Sequence, residues 1–164
     1  MVLLAAGCSR AGDATTATGP GRVQSNATVV RAVDGDTVVV RVDGVDEKVR
    51  LIGVNTPESV DPRRPVQCFG KIASHHTAQL LPPGTPVRLV RDAEPRDRYG
   101  RLLAYIYRGS DGLFVNLELV TDGYAIAYPF PPNTAHRQEF AGAERAARSS
   151  STGLWASCPS PTKQ

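Results

Sequence analysis

No stretch of this 164-residue sequence is long and apolar enough to span a bilayer, so no membrane-spanning helix is expected. The sequence has no internal repeat, which excludes repeat architectures. Its formal net charge is only +3, which attracts polyanions mildly and does not mark a nucleic-acid coat protein. Cysteine is scarce. With three copies, an odd number, at least one cysteine lies outside any intramolecular pair.

Glycine and proline are plentiful instead, with 15 and 13 copies. They lie between short valine-rich runs, a pattern typical of a small β-rich domain with many turns rather than of a helical bundle. A hydrophobic content of 41% in 164 residues suits one globular domain.

The first cysteine, Cys8, lies in the segment LLAAGCSR. This segment resembles a bacterial lipoprotein cleavage box, in which the cysteine is lipidated, and it predicts an exported protein that is extracellular or anchored to a membrane through Cys8. Ala5 stands where leucine is favoured, and no basic residue precedes Cys8. Either the start lies inside a longer signal sequence or the resemblance is accidental.

The segment after Cys8 is rich in Ala, Thr, Gly and Ser, and it has too few large apolar side chains to build a core. It predicts a flexible tether or a plain disordered N-terminus, and its composition does not separate the two. We therefore assign residues 1–26 to a truncated signal segment and linker, 27–158 to one folded domain and 159–164 to a disordered tail.

Three β-branched runs separated by the links DGD and DGVD open the folded part and predict a meander of hairpins. The predicted strands cover residues 27–33, 37–43, 47–54, 85–92 and 101–107. Helical patterns predict three helices, over residues 68–81, 114–123 and 135–150. This order predicts a mainly β fold with flanking helices (α+β), a five-stranded OB-fold barrel plus three helices.

Local signals refine the helices. Helical spacing predicts one apolar face on the first helix, made by Phe69, Ile72, Ala73, His76 and Leu80. Gly123 is expected to end the second helix, and Asn133 or Thr134 to cap the third. On the third helix Phe140, Ala143 and Ala147 form one stripe, and Trp155 is expected to pack the tail down.

An arginine inside an apolar strand gives the first indication of function. Arg50 shares a strand face with Ile52 and Val54, which is costly unless an anion meets the guanidinium. Pro57 then ends the strand and holds Glu58 in a defined direction.

Four motifs occur in order along the chain. They are VDGDT (33–37), RLIGVNTPE (50–58), DRYGR (97–101) and AYPFPPNTAH (127–136). Together they resemble the staphylococcal nuclease, or thermonuclease, family, and the resemblance runs from about Thr28 to Trp155. It implies a calcium-dependent nuclease that hydrolyses phosphodiester bonds of DNA and RNA.

The residue types suit that chemistry. Two guanidinium groups, on Arg50 and Arg101, would stabilise the negative oxygens of a five-coordinate phosphorus through paired hydrogen bonds. Glu58 would be the general base that activates water. The resemblance implies the same three catalytic roles. Taken singly, each residue also fits an ordinary salt bridge or turn, and the ordered set is what favours catalysis.

Oxygen ligands would favour calcium over zinc. Asp36 matches a family calcium ligand, and the carbonyl of Thr56 matches another. Asn55 stands where the family has a second carboxylate, and its neutral amide oxygen brings no charge, which would weaken calcium binding. Asp34 is interpreted as structural, capping its own turn.

The resemblance also implies a nucleotide pocket. Tyr99 and Tyr128 match family tyrosines that contact sugar-phosphate and base, although packing at the barrel edge explains Tyr128 equally well. Arg98 keeps a positive charge beside Tyr99. His75 and His76 point to different faces of a helix and are interpreted as structural or solvated rather than as metal ligands.

A non-catalytic OB-fold module that binds single-stranded nucleic acid or another extracellular polyanion is the main alternative, and a structural envelope lipoprotein is a weaker one. Retention of Arg50, Glu58 and Arg101 together favours the enzyme. Export would place two thiols in an oxidising compartment and predicts a disulfide between Cys68 and Cys158. The protein is expected to be a monomer.

Overall fold

The computed structural model describes residues 21–62 and 65–158. The strands are β1 (Ala27–Asp34), β2 (Thr37–Val42), β3 (Val45–Leu51), β4 (Gly53–Asn55), β5 (Pro86–Val90), β6 (Leu102–Arg108) and β7 (Ile126–Tyr128). The helices are α1 (Gly70–Leu80), α2 (Val115–Thr121), α3 (Arg137–Ser149) and α4 (Leu154–Ser157). Within these described ranges, no helix has the length and apolar character needed to cross a membrane.

Five strands close into a barrel in the order β1-β2-β3-β6-β5, which confirms the predicted five-stranded barrel. All neighbours pair antiparallel except β3 and β6, which run parallel. The two short Asp-Gly links join β1 to β2 and β2 to β3 as hairpins, as predicted. Alternation along the strands turns Val38, Val40 and Val49 into the core, where they are fully buried.

The run predicted as one strand over 47–54 is two strands. The strand is interrupted before Gly53, whose backbone has φ +81°. The next strand, β4, leaves the barrel and pairs with β7 in a separate two-stranded sheet. A Cβ on Gly53 would collide with the ring of Phe140, so only glycine fits under α3 at this point. This break carries the chain from Arg50 on the barrel to Glu58 on the following loop.

Two helix details differ from the prediction. Ile72 is 53% exposed, and the buried face of α1 is made by Ala73 and Thr77, because Thr77 donates its hydroxyl hydrogen to the carbonyl of Gly35 at 2.6 Å. The third helix begins at Arg137 rather than after a cap at Asn133 or Thr134. The Asn133 side chain instead bonds both backbone groups of Glu94, at 2.7 and 2.9 Å, and so ties two loops together.

The C-terminal part packs against α2 and α3. Gly123 ends α2 with φ +69°, as predicted. The fourth helix, α4, is one short turn that the prediction of three helices did not include. Its Leu154 is fully buried, and the Trp155 ring lies 4.1 Å from the Arg148 guanidinium. The predicted disulfide joins Cys68 to Cys158, with Cα atoms 6.0 Å apart.

Two predicted terminal segments, the one with Cys8 and the tail 159–164, lie outside the described residues. At the end of the predicted linker, Asn26 bonds both backbone groups of Leu89 through its side chain, at 2.8 and 3.1 Å. Residue 26 is therefore attached to β5.

Candidate active site

A polar cleft of about 850 Å³ opens beside the end of β3. Seven of the nine residues predicted for catalysis, metal binding and substrate binding line it: Asp36, Arg50, Asn55, Thr56, Glu58, Tyr99 and Arg101. Residues far apart in sequence are therefore brought to one surface by the closure of the barrel. Arg98 and Tyr128 are not among the lining residues.

Arg50 is held by the backbone that follows it. Its Nη1 donates to the carbonyl oxygens of Leu51 at 2.6 Å and Val54 at 2.8 Å. Its Nη2 donates to Asn55 Oδ1 at 3.0 Å and lies 3.1 Å from Asp36 Oδ2. These contacts fix the direction of the guanidinium. The side chain is still 15% exposed, so it borders the cleft. The anion that the sequence required is Asp36.

Asp36 is equally constrained. One of its oxygens accepts the hydroxyl hydrogen of Thr37 at 3.0 Å, and the other accepts the backbone N–H of Thr56 at 3.0 Å. The carboxylate is therefore buried but fully compensated by hydrogen bonds and by Arg50.

The oxygen donors near Asp36 fit a hard cation. Asn55 offers an amide oxygen, although Arg50 already donates to it, and Thr56 offers a backbone carbonyl. The Thr56 hydroxyl oxygen is buried with no hydrogen-bond partner in the part of the chain described. No group of three or more His, Cys, Asp or Glu side chains suited to a metal occurs in residues 21–62 and 65–158. A cation here would therefore rely on carbonyl and amide oxygens besides Asp36.

Glu58 lies on the loop after β4, with its carboxylate turned back on its own backbone. Oε1 accepts the N–H groups of Ser59, Val60 and Asp61 at 2.9, 2.7 and 2.9 Å. Burial alone would raise the pKa of Glu58, but these three N–H groups act against it, and the pKa lies below its usual value. The group is therefore ionised at neutral pH, as a general base must be.

Asp34 supports the same loop. It caps its own turn by accepting the Gly35 N–H at 2.8 Å, as predicted, and it also accepts the Ser59 hydroxyl hydrogen at 2.6 Å. Burial raises the pKa of Asp34, against the two hydrogen bonds that lower it. The bond to Ser59, which the sequence did not indicate, links the first barrel turn to the loop of Glu58.

Arg101 lines the cleft from a turn that is organised by Asp97. The Asp97 carboxylate accepts the N–H groups of Tyr99 and Arg101 and pairs with Arg101 Nε at 2.6 Å. Sequence reasoning missed this pair, although its i, i+4 spacing within DRYGR was a usable signal. Arg96 attaches the turn to the barrel through Glu47, at 2.7 and 3.1 Å.

Tyr99 forms the mouth of the cleft and is 69% exposed. Arg98 donates to its hydroxyl oxygen at 2.7 Å, and the guanidinium of Arg101 lies 5.5 Å from the centre of its ring. An exposed ring between two cations offers a stacking surface and charge to a nucleotide. Arg98 is therefore placed near the predicted pocket through Tyr99, though it does not line the cleft.

The remaining predicted aromatic and histidine residues lie apart from these groups. Tyr128 is partly buried in β7, with its ring 6.4 Å from that of Phe130 and nearly parallel to it. His76 stacks on Tyr124 with ring centres 3.7 Å apart, and His75 is exposed on the same helix. This placement agrees with the structural or solvated interpretation of both histidines.

A closed five-stranded barrel whose cleft carries two arginines, a loop glutamate and a buried aspartate defines an OB-fold protein with a charged cleft. Residues 48–157 match the family model described as "Staphylococcal nuclease homologue". The chain belongs to this family.

Curated relatives agree with that membership. The chain is 46% identical over 127 residues to a thermonuclease of Staphylococcus intermedius, covering 77% of this chain and 74% of the relative. It is 39% identical over 127 residues to a thermonuclease of Staphylococcus hyicus, with 77% and 73% covered. It is 38% identical over 131 residues to endonuclease YncB of Bacillus subtilis (strain 168), with 79% and 61% covered.

Proposed function

We propose that this chain is a metal-dependent nuclease that hydrolyses phosphodiester bonds of DNA and RNA and uses calcium. The observation that carries the proposal is that Arg50, Arg101 and Glu58 line one cleft together with Asp36. A nuclease is the activity that the family and the named relatives support.

The two arginines would both bind the phosphate. Arg50 is held by fixed acceptors, so its charge is directed before substrate arrives, which is the arrangement that lowers a barrier electrostatically. Arg101 would complete the charge-assisted hydrogen bonds to the equatorial oxygens. Glu58 would accept a proton from the attacking water, since its low pKa keeps it ionised.

Asp36, the Thr56 carbonyl and the Asn55 amide oxygen would hold the calcium ion. When bound, calcium would offset the negative charge of the phosphate. At the mouth, Tyr99 and Arg98 would contact base and sugar-phosphate. Tyr128 would take part only through a longer substrate, since it does not line the cleft.

We also propose that the protein works as a monomer outside the cytoplasm. The disulfide between Cys68 and Cys158 supports an oxidising compartment, where such bonds persist. Lipid anchoring through Cys8 would hold the nuclease at a membrane surface.

Substitution of Glu58 by glutamine tests the catalytic assignment. Glu58→Gln keeps the size of the side chain but removes its charge and basicity, so kcat should fall by about 10²-fold or more. Affinity for a labelled single-stranded DNA, measured by anisotropy, should change little, because phosphates supply much of the binding energy. Glu139→Gln, on the exposed surface of α3, is the matched control.

An unchanged kcat for Glu58→Gln would place the general base elsewhere. Binding of DNA by the wild type without any cleavage in calcium would instead support the non-catalytic binding module. Added salt should weaken binding of the wild type and of the variant alike.

A further inference from the structure

Two hydrogen bonds join Glu58, on the loop after β4, to Gln67, which lies just before α1. The backbone N–H of Glu58 donates to Gln67 Oε1 at 2.8 Å, and the backbone N–H of Gln67 donates to the Glu58 carbonyl at 2.9 Å. Two hydrogen bonds between the same pair of residues fix their separation and their relative orientation. Gln67 also lines the cleft, on the side of Glu58.

Gln67 is itself fixed by its neighbours. Cys68, the next residue, is joined to Cys158, and the carbonyl of Gln67 accepts the N–H of Gly70 at 3.0 Å as α1 begins. A Cβ on Gly70 would lie 2.5 Å from the carbonyl oxygen of Glu58, so the start of the helix lies directly against the backbone of Glu58. The glutamine is thus a rigid support rather than a mobile surface side chain.

We infer that Gln67, anchored beside the Cys68–Cys158 disulfide, is a positioning residue that sets the place of Glu58 in the cleft. The inference rests on the proposed function, in which Glu58 is the general base. The Glu58 carboxylate takes its direction from the N–H groups of residues 59–61, and Gln67 fixes the backbone from which that turn starts.

The physical reason lies in how sharply proton transfer depends on distance. A general base acts only within hydrogen-bond reach of the proton it removes, and a displacement of about 1 Å can cost up to 10²-fold in rate. Without the Gln67 acceptor, the Glu58 N–H would have to find water, and the loop would shift to allow this. The loss should therefore fall on turnover rather than on binding of the phosphates.

Three variants test the inference in the full chain with single-stranded DNA as the substrate. Gln67→Leu keeps the approximate size but removes the acceptor, and kcat should fall about tenfold while KM stays within about twofold. Gln67→Glu keeps an acceptor and should recover kcat to within about threefold of the wild type. Gln79→Leu, the same change at an exposed site on α1, is the matched control and should behave as the wild type.

The double variant Glu58→Gln/Gln67→Leu separates positioning from a general structural effect. If Gln67 acts through Glu58, adding Gln67→Leu should lower kcat no further once the carboxylate is gone. An equal tenfold loss in both backgrounds, or a kcat for Gln67→Leu equal to that of the control, would overturn the inference. A failure of Glu58→Gln alone to lower kcat would instead overturn the assignment of Glu58 as the general base.

Discussion

The two walls of the cleft hold their arginines in different ways. The barrel wall, made by Asp36, Arg50 and Asn55, gives the Arg50 guanidinium two backbone carbonyls, an amide oxygen and a carboxylate. The loop wall, made by Tyr99 and Arg101, gives the Arg101 guanidinium one carboxylate partner among the residues that the structure describes, Asp97. The Arg101 side chain is 28% exposed, against 15% for Arg50.

We infer that the two walls differ in how far they are preorganised for the substrate. The barrel wall is preorganised, so its charge needs no rearrangement when a phosphate binds. The loop wall is more exposed, and its turn is attached to the barrel through the pair of Arg96 and Glu47. We expect the loop wall to adjust to the substrate, and substitutions in the barrel wall to cost more in both catalysis and stability.

The largest effect is expected for Arg50→Lys. Lysine cannot direct hydrogen bonds to two carbonyls and two side chains at once, so kcat should fall by about 10³-fold. Because Asp36 would lose part of its compensation while buried, the free energy of unfolding should also fall, by about 2 kcal/mol. Cleavage kinetics and urea unfolding measure the two losses, and a stable variant with nearly normal kcat would remove Arg50 from the site.

Arg101→Lys should cost less. The substitution removes bidentate contact with the phosphate and should lower kcat by about 10²-fold. Its partner Asp97 would still accept hydrogen bonds from the backbone N–H groups of Tyr99 and residue 101. The free energy of unfolding should therefore change by less than about 1 kcal/mol. A loss of stability as large as that of Arg50→Lys would break the contrast between the walls.

Asn55→Asp changes the charge of the barrel wall. A carboxylate would replace the amide beside the calcium ligands, so half-saturating calcium should fall, on the order of tenfold, from the ~0.1 to 1 mM expected for the wild type. The added charge would also repel phosphate when calcium is scarce and raise the apparent KM. A calcium titration of the cleavage rate at fixed ionic strength measures this. An aspartate variant that needs as much calcium as the wild type would exclude Asn55 as a ligand.

The smallest effect concerns α1, the helix that begins against the backbone of Glu58. Burial lowers the pKa of His76, against the nearby Asp122 carboxylate that raises it. The folded state therefore binds this proton less readily than the unfolded state, and its stability falls as pH drops through the unfolded pKa of about 6.5. Urea unfolding between pH 7.5 and 5.5 should show a steeper decline for the wild type than for His76→Gln, and parallel curves would contradict this.

Much of the barrel could be predicted because it follows from local patterns. Short valine-rich runs and two Asp-Gly links are enough to indicate the first three strands, and Arg50 on an apolar strand face already required an anion. The end of α2 at Gly123 was predicted as well, because glycine readily adopts the left-handed conformation that follows a helix. These features depend on neighbours in sequence.

What was missed depends on contacts between distant residues. Nothing near Gly53 indicates that Phe140 needs its space, so the break between β3 and β4 was not visible. Ile72 fits a helical stripe, yet the polar Thr77 takes the buried face because a carbonyl of the first turn lies there. Gln67 had no signal of its own, since its partner is a backbone group nine residues away.

Cleavage of single-stranded DNA by the purified chain tests whether it is a nuclease, with wild type and Arg50→Lys compared in calcium and in chelator. We expect fragments from the wild type in calcium, almost none in chelator, and a loss of about 10³-fold in rate for the variant. Equal cleavage by both proteins, or binding without cleavage by the wild type in calcium, would contradict it.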